Sequence, residues 1–181
     1  MKSGIIIIAP LEPPLRERIL ELQRRFDPKL AASLPPHVTI TGSSGMGPIS
    51  TRTGVEALRA VLEPIARTTP PLALTLGAPV RFMQSNVVSL PLDPHGPIRV
   101  LHDRIRAAGL LAEAPRFTFT PHVTLNFFPE PTPENLRAML AVRIAEPVVL
   151  KRLQCHETLD LTHTRQLLHV ELTGDHAARR A

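Results

Sequence analysis

Pro36-His37-Val38-Thr39-Ile40 returns almost letter for letter as Pro121-His122-Val123-Thr124-Leu125. In each copy the histidine and threonine sit two apart, with apolar residues between and after them. Successive side chains of a strand point to opposite faces. His37 and Thr39 therefore share one face, with Val38 and Ile40 on the other; His122 and Thr124 share a face backed by Val123 and Leu125. An imidazole and a hydroxyl on one side of a strand, with a core behind them, describe a site mounted on a rigid sheet. By the same alternation Thr41 and Asn126 are expected on the polar faces as further substrate contacts.

Around these two strands the chain repeats itself. Ile5 to Ile8 reads as a buried central strand. A first helix follows, with Pro14 near its start, Leu15, Ile19, Leu22 and Phe26 on one face, and Asp27-Pro28 as its end. After the first histidine strand comes a Gly/Ser/Pro loop. Thr53 and Glu56 have capping-box spacing and open a second helix through Val55, Leu58, Leu62 and Ile65, with Pro64 expected to kink or shorten its last turn. Pro71 to Val80 and Asn86 to Leu92 read as a strand hairpin around an Arg81–Ser85 loop. The order then restarts, with Val87 to Leu90 in the place of Ile5 to Ile8. A helix opens at Pro97 and stops at Gly109. The second histidine strand follows, then a helix capped at Thr132-Pro133. A strand from Val148 to Leu153 corresponds to Leu72–Leu76, and Gln166 to Leu172 closes a second hairpin.

Strand, helix, histidine strand, helix, strand thus occurs twice. The expected fold class is α+β and bilobal: two lobes of antiparallel sheet related by a pseudo-two-fold, with helices packed outside. Their polar faces would confront each other across a central cleft. The expected organisation is one domain, residues 1–181, made of two intertwined lobes, a size that suits a single core.

Composition narrows the chemistry. With 43% hydrophobic and 20% charged residues the chain is an ordinary globular sequence. Its net charge of +5 comes almost wholly from arginine, the lysines being Lys2, Lys29 and Lys151. That balance suits anionic partners such as RNA or nucleotides, and equally a solvated surface. There is no Trp or Tyr and there are six Phe, which argues against extensive base stacking on aromatic platforms. The single Cys155 excludes a disulfide framework and a cysteine zinc cluster. No membrane span or targeting segment is legible, and a reducing, cytoplasmic setting is expected. Nothing calls for an obligate protein partner.

Histidine gives and takes protons near neutrality. Either copy alone reads as well as a structural residue. The repetition of Pro-His-Val-Thr moves the reading to function. Two imidazoles flanking a substrate suit in-line displacement at phosphorus, one removing a proton from the attacking oxygen and the other supplying one to the leaving oxygen. The threonine hydroxyls can hold the phosphoryl oxygens between them. No cofactor or metal is required; neither strand has His-x-His or His-x-x-x-His spacing. A nucleophile elbow and a phosphate-binding Gly-x-x-x-x-Gly-Lys loop are both lacking in the sequence. His95, His102, His156, His163, His169 and His176 stand outside the repeat and read as surface or structural. His156 and His163 are the exceptions to watch, since the second hairpin could reach the cleft.

The doubled His-x-Thr-x, with this spacing and element order, resembles the 2H phosphoesterase superfamily, which includes RNA 2′,3′-cyclic phosphodiesterases and 2′-5′ RNA ligase-like proteins. The resemblance runs from about Ile5 to Leu172. It implies His37 and His122 as general acid and base and Thr39 and Thr124 as phosphate ligands. It also implies metal-independent opening of a 2′,3′-cyclic phosphate, on an RNA end or a small cyclic nucleotide, to a 2′-phosphate. Reversible 2′-5′ ligation uses the same two imidazoles, and a non-catalytic nucleotide- or RNA-binding module is the alternative from another class. Better-known members often carry a basic residue in a pattern like His-x-Thr-Leu-x-Arg; here that position is Phe127. Arg81 or Arg165, each at a hairpin, could replace the missing charge, and Phe82 or Phe128 could stack on a base.

Overall fold

The computed structural model describes residues 4–42, 44–83, 85–160 and 162–175. The apolar run at the start is strand β1 (Gly4–Pro10), with Ile5, Ile7 and Ile8 buried. Helix α1 (Leu15–Phe26) follows with Leu15, Ile19 and Phe26 inward, then a short helix α2 (Pro28–Ser33) and the first histidine strand, β2 (His37–Thr41). Helix α3 (Val55–Arg67) and strands β3 (Leu72–Leu74) and β4 (Val80–Arg81) complete the first half. The second half runs β5 (Val88–Pro91), α4 (Pro97–Ala107), the second histidine strand β6 (His122–Asn126), α5 (Pro133–Leu140), β7 (Val148–Leu150), β8 (Arg152–Thr158) and β9 (Thr164–Glu171).

The fold is α+β, with mixed helices and antiparallel sheet. Seven strands lie in the order β4-β5-β6-β2-β1-β8-β9, and β3 pairs with β7 in a separate two-stranded ribbon. The pseudo-two-fold is visible in the ladders. Ile8, Ala9 and Pro10 face Thr39, Val38 and His37, as Ser89, Leu90 and Pro91 face Thr124, Val123 and His122. The register slips at the corresponding place in both, between Ile7 and Ile8 and between Val88 and Ser89. The two halves of the sheet join where β2 meets β6, at Val38 opposite Val123. The two histidine strands are therefore direct neighbours in one continuous sheet.

Each half also leans on the other. Gln23 of α1 donates from Nε2 to the Thr124 carbonyl of β6 (2.8 Å), and His102 of α4 donates from Nδ1 to the Ile40 carbonyl of β2 (2.8 Å). Val38, Ile40, Val123 and Leu125 are fully buried in the same core as Leu15, Ile19, Ile98, Leu101 and Ile105.

Several local expectations need correction. The N-cap of α3 is Gly54, with no side-chain cap, so Thr53 and Glu56 do not form a capping box. The helix also runs past Pro64 to Arg67. The first hairpin joins β5 to the short β4, and Leu72–Leu74 pairs instead with its own repeat partner, Val148–Leu150. The second hairpin is β8 with β9. Asp27-Pro28 ends α1 as expected, and it also opens α2, which the sequence pattern does not announce. Asp-Pro stops one helix, but Asp at an N-cap followed by Pro at the first helical position also starts one, and the Asp27 carboxylate accepts from Leu30 N (3.0 Å).

Candidate active site on the joined histidine strands

Residues opposite each other in an antiparallel pair share a face. With Val38 against Val123, one step either way sets His37 opposite Thr124 and Thr39 opposite His122. The four motif residues thus form a two-by-two grid on one face of the sheet. In a regular antiparallel pair, opposed members lie roughly 4.5–5.5 Å apart at Cβ and diagonal ones, as the two histidines are here, roughly 7–8 Å apart.

Each imidazole is held the same way. His37 Nδ1 lies 2.7 Å from the Pro35 carbonyl and His122 Nδ1 lies 2.7 Å from the Thr120 carbonyl. A carbonyl oxygen only accepts, so in both rings Nδ1 carries the proton and donates, and Nε2 is the bare, basic nitrogen. The acceptor is two residues upstream in both copies, so the local chain that enters each strand also orients its ring.

Burial pushes the His37 pKa down to about 4, against the opposing pull of the Pro35 carbonyl and with help from the charges of His156 and His122. Burial also lowers His122, opposed by its Thr120 carbonyl. Phe82 stands edge-on to His122, ring centroids 5.1 Å apart. His156, set aside with the other outlying histidines except as a residue to watch, lies close enough to His37 to act on its charge. It is buried on β8, and its Nδ1 and Nε2 meet Thr164 Oγ1 (3.3 Å) and Gln154 Oε1 (3.1 Å).

The other expected contacts fall elsewhere. At each slip in register, Ile40-Thr41 and Leu125-Asn126 oppose a single residue of the neighbouring strand, Ile7 and Val88. Such a bulge breaks the alternation, and all four side chains turn inward and are buried. Thr41 Oγ1 accepts from Ile7 N (3.2 Å), and Asn126 Nδ2 donates to the Asn86 and Pro129 carbonyls (2.7 and 2.9 Å). Arg81 is paired with Val88 on the opposite side of the sheet from the grid, donating to the Ser85 carbonyl (2.8 Å). Arg165 lies opposite Glu157 on β9 and binds its carboxylate at 2.6 Å. Neither arginine reaches the grid by strand parity. Phe127 is partly exposed and packs edge-on against Phe128, over which Lys29 Nζ lies at 4.4 Å. His102 is buried and stacks on Phe119, and His163 binds Asp160 at the β8–β9 turn. His176 lies outside the described residues.

One surface hollow lies elsewhere, between Pro48–Thr51 and Leu111–Glu113, and is lined by no imidazole. Among the described residues no group of three or more His, Cys, Asp or Glu is arranged to hold a metal ion. None of the described helices is long and apolar enough to cross a membrane.

This architecture is that of the LigT-like α+β proteins. Escherichia coli LigT, solved with 3′-AMP, superposes with a TM-score of 0.56 at 20% identity, over 96% of this chain and 99% of that one. A crystal structure described as a phosphoesterase gives 0.59 at 21% identity over the same shares. The sequence profile of the 2′-5′ RNA ligase superfamily matches residues 11–161, and the chain belongs to that superfamily. Among relatives, a Geobacillus kaustophilus protein named "Putative phosphoesterase" is 28% identical over 126 residues, 69% of this chain and 68% of that protein. One of the same description from Geobacillus thermodenitrificans is 25% identical over 165 residues, 90% of this chain and 86% of that protein.

Proposed function

We propose that this protein is a cyclic phosphodiesterase that opens 2′,3′-cyclic phosphates, on RNA ends or on small nucleotides, to 2′-phosphates without a metal. The single observation that supports this is the pair of matched imidazoles, each with Nδ1 tied to a backbone carbonyl and Nε2 left basic, diagonal to each other across two threonine hydroxyls. His37 is the general base. It is pushed furthest toward the neutral form, so its Nε2 is ready to take the proton of an attacking water. His122 is the general acid. A bound phosphodiester anion favours its protonated form, and Nε2–H then delivers the proton to the departing ribose oxygen. Thr39 and Thr124, each opposite a histidine, donate to the non-bridging oxygens and hold phosphorus on the line between the two rings. The water adds to phosphorus, the P–O3′ bond breaks, and one proton has passed from His122 while another has arrived on His37.

With neither Arg81 nor Arg165 on the face of the grid, charge compensation rests on imidazolium and hydroxyls. That favours small, singly charged diesters over long RNA ends. Hydrolysis of 2′,3′-cyclic AMP in chelator tests the reading. The wild type should turn over at an unchanged rate, and His37→Ala and His122→Ala should each lose roughly 10²–10⁴-fold. Activity that survives both changes would remove the two-histidine mechanism. Tight nucleotide binding without turnover would favour a binding module.

A further inference from the structure

The pseudo-two-fold makes the two ends of the grid comparable residue by residue, and they do not match. Ser89 flanks Thr124 as Ile8 flanks Thr39. One strand further out, Val80 lies opposite Ser89 and Gln154 lies opposite Ile8. Two residues along come Phe82 and His156. The end beside His122 therefore carries Val80 and Phe82, and the end beside His37 carries Gln154 and His156.

An amide oxygen only accepts, so at the 3.1 Å contact His156 Nε2 donates to Gln154 Oε1, and His156 Nδ1 accepts from the Thr164 hydroxyl at 3.3 Å. His156 is 6% exposed and both its nitrogens are engaged. The bond consumes the oxygen of Gln154 and leaves its amide nitrogen, with two donors, turned away from the histidine. Among the described residues the Gln154 side chain makes no other hydrogen bond of its own. Gln154 lies in the cross-strand row Gln154–Ile8–Thr39–His122, on the face of the grid and partly open to solvent.

We propose that Gln154 is a substrate-binding residue whose amide N–H groups donate to an oxygen of the nucleoside phosphate, and that His156 is its positioning residue. The inference rests on the reading of the grid as a phosphodiester site. It supplies a neutral donor where neither Arg81 nor Arg165 faces the grid. It also makes the site directional, because the equivalent Val80 has no donor to offer.

Titrating the full chain with 2′-AMP and, separately, with inorganic phosphate tests this without turnover. Gln154→Leu should weaken 2′-AMP binding about tenfold. Gln154→Glu, which still accepts from His156 but has no donor, should weaken it at least as much. His156→Phe should reproduce part of the loss while the amide spectrum stays folded. In turnover the loss should fall on KM, with kcat little changed. Weakening of both ligands assigns the contact to a phosphoryl oxygen, and weakening of 2′-AMP alone assigns it to the ribose. Equal affinity of wild type and Gln154→Leu for both would overturn the inference and leave the site reading standing. A wild type that binds neither ligand would sink both.

Discussion

His37 and His122 share a tautomer and a backbone clamp, yet what surrounds them differs. His37 has the buried imidazole of His156 nearby; His122 has a phenyl ring set at right angles to its own. The consequence is a pH dependence with a definite sign. His37 is lowered from its ordinary 6.5 to about 4. It therefore binds fewer protons folded than unfolded between those values, and stability rises with pH across that window. The contribution is complete above about pH 6.5 and is lost as pH falls toward 4. Thermal melts between pH 4 and 7 should show this acid-side loss in the wild type and a smaller one in His37→Gln. In the proposed reaction, the base His37 stays neutral down to about pH 4, while the acid His122 must be charged. With burial also lowering His122, kcat/KM for 2′,3′-cyclic AMP should be bell-shaped with its optimum on the acid side of neutrality. A rate that rises monotonically to pH 9 would be incompatible with His122 as the acid. The shared face of each His–Thr pair was legible residue by residue, because period-two alternation in a repeated pentapeptide needs nothing beyond the strand; that β2 and β6 pair side by side was not. The failure at Thr41 and Asn126 has one cause: a bulge is a property of the partner ladder, and alternation within one strand cannot reveal it.

Among the elements, the joined strands β2 and β6 set the spacing of the groups proposed to act in catalysis. Thr39→Val and Thr124→Val keep shape and core packing but remove the hydroxyl proposed to hold a phosphoryl oxygen. Each should lower kcat/KM about 10–100-fold with little change in melting temperature, read by steady-state assays beside calorimetry. Asp27 behaves in the opposite way. Its carboxylate is fully buried, accepts from Leu30 N at the start of α2, and accepts from Phe127 N and Phe128 N (2.8 Å each) beyond the end of β6. Asp27→Ala removes the acceptor of three part-buried backbone donors. It should cost about 2–4 kcal/mol in urea unfolding, while any activity of the folded fraction persists. The carboxylate was visible in the sequence only as part of a helix-stopping Asp-Pro. Its second task, gripping residues a hundred positions later, depends on tertiary contact. The hairpins show the same limit: strand propensity marked Leu72–Leu74 and Val148–Leu150, but only the fold pairs them with each other.

At the scale of the molecule, the two halves are laced together by exchanged supports. The helix that follows β1 braces the second histidine strand through Gln23, and the helix that follows β5 braces the first through His102. The β8 strand of the second half pairs with β1 of the first, as β4 of the first pairs with β5 of the second. Neither half can then bury its histidine strand alone, so the lobes should unfold together in a single transition. The chain has no Trp or Tyr, which leaves intrinsic fluorescence without a strong probe. Urea titration followed by far-UV circular dichroism and by methyl NMR signals of Ile7 and Leu125, one in each half of the sheet, makes the comparison. The three curves should share one midpoint, and Gly45→Ala should shift all of them equally. Gly45 has φ +69°, and an added Cβ would fall 2.4 Å from His102 Nε2, so the change strikes the brace between the halves. Separate midpoints for the two methyl groups, or a Gly45→Ala effect confined to one of them, would show two independently folding lobes. The diagonal pairing of the imidazoles would then depend on docking rather than on folding.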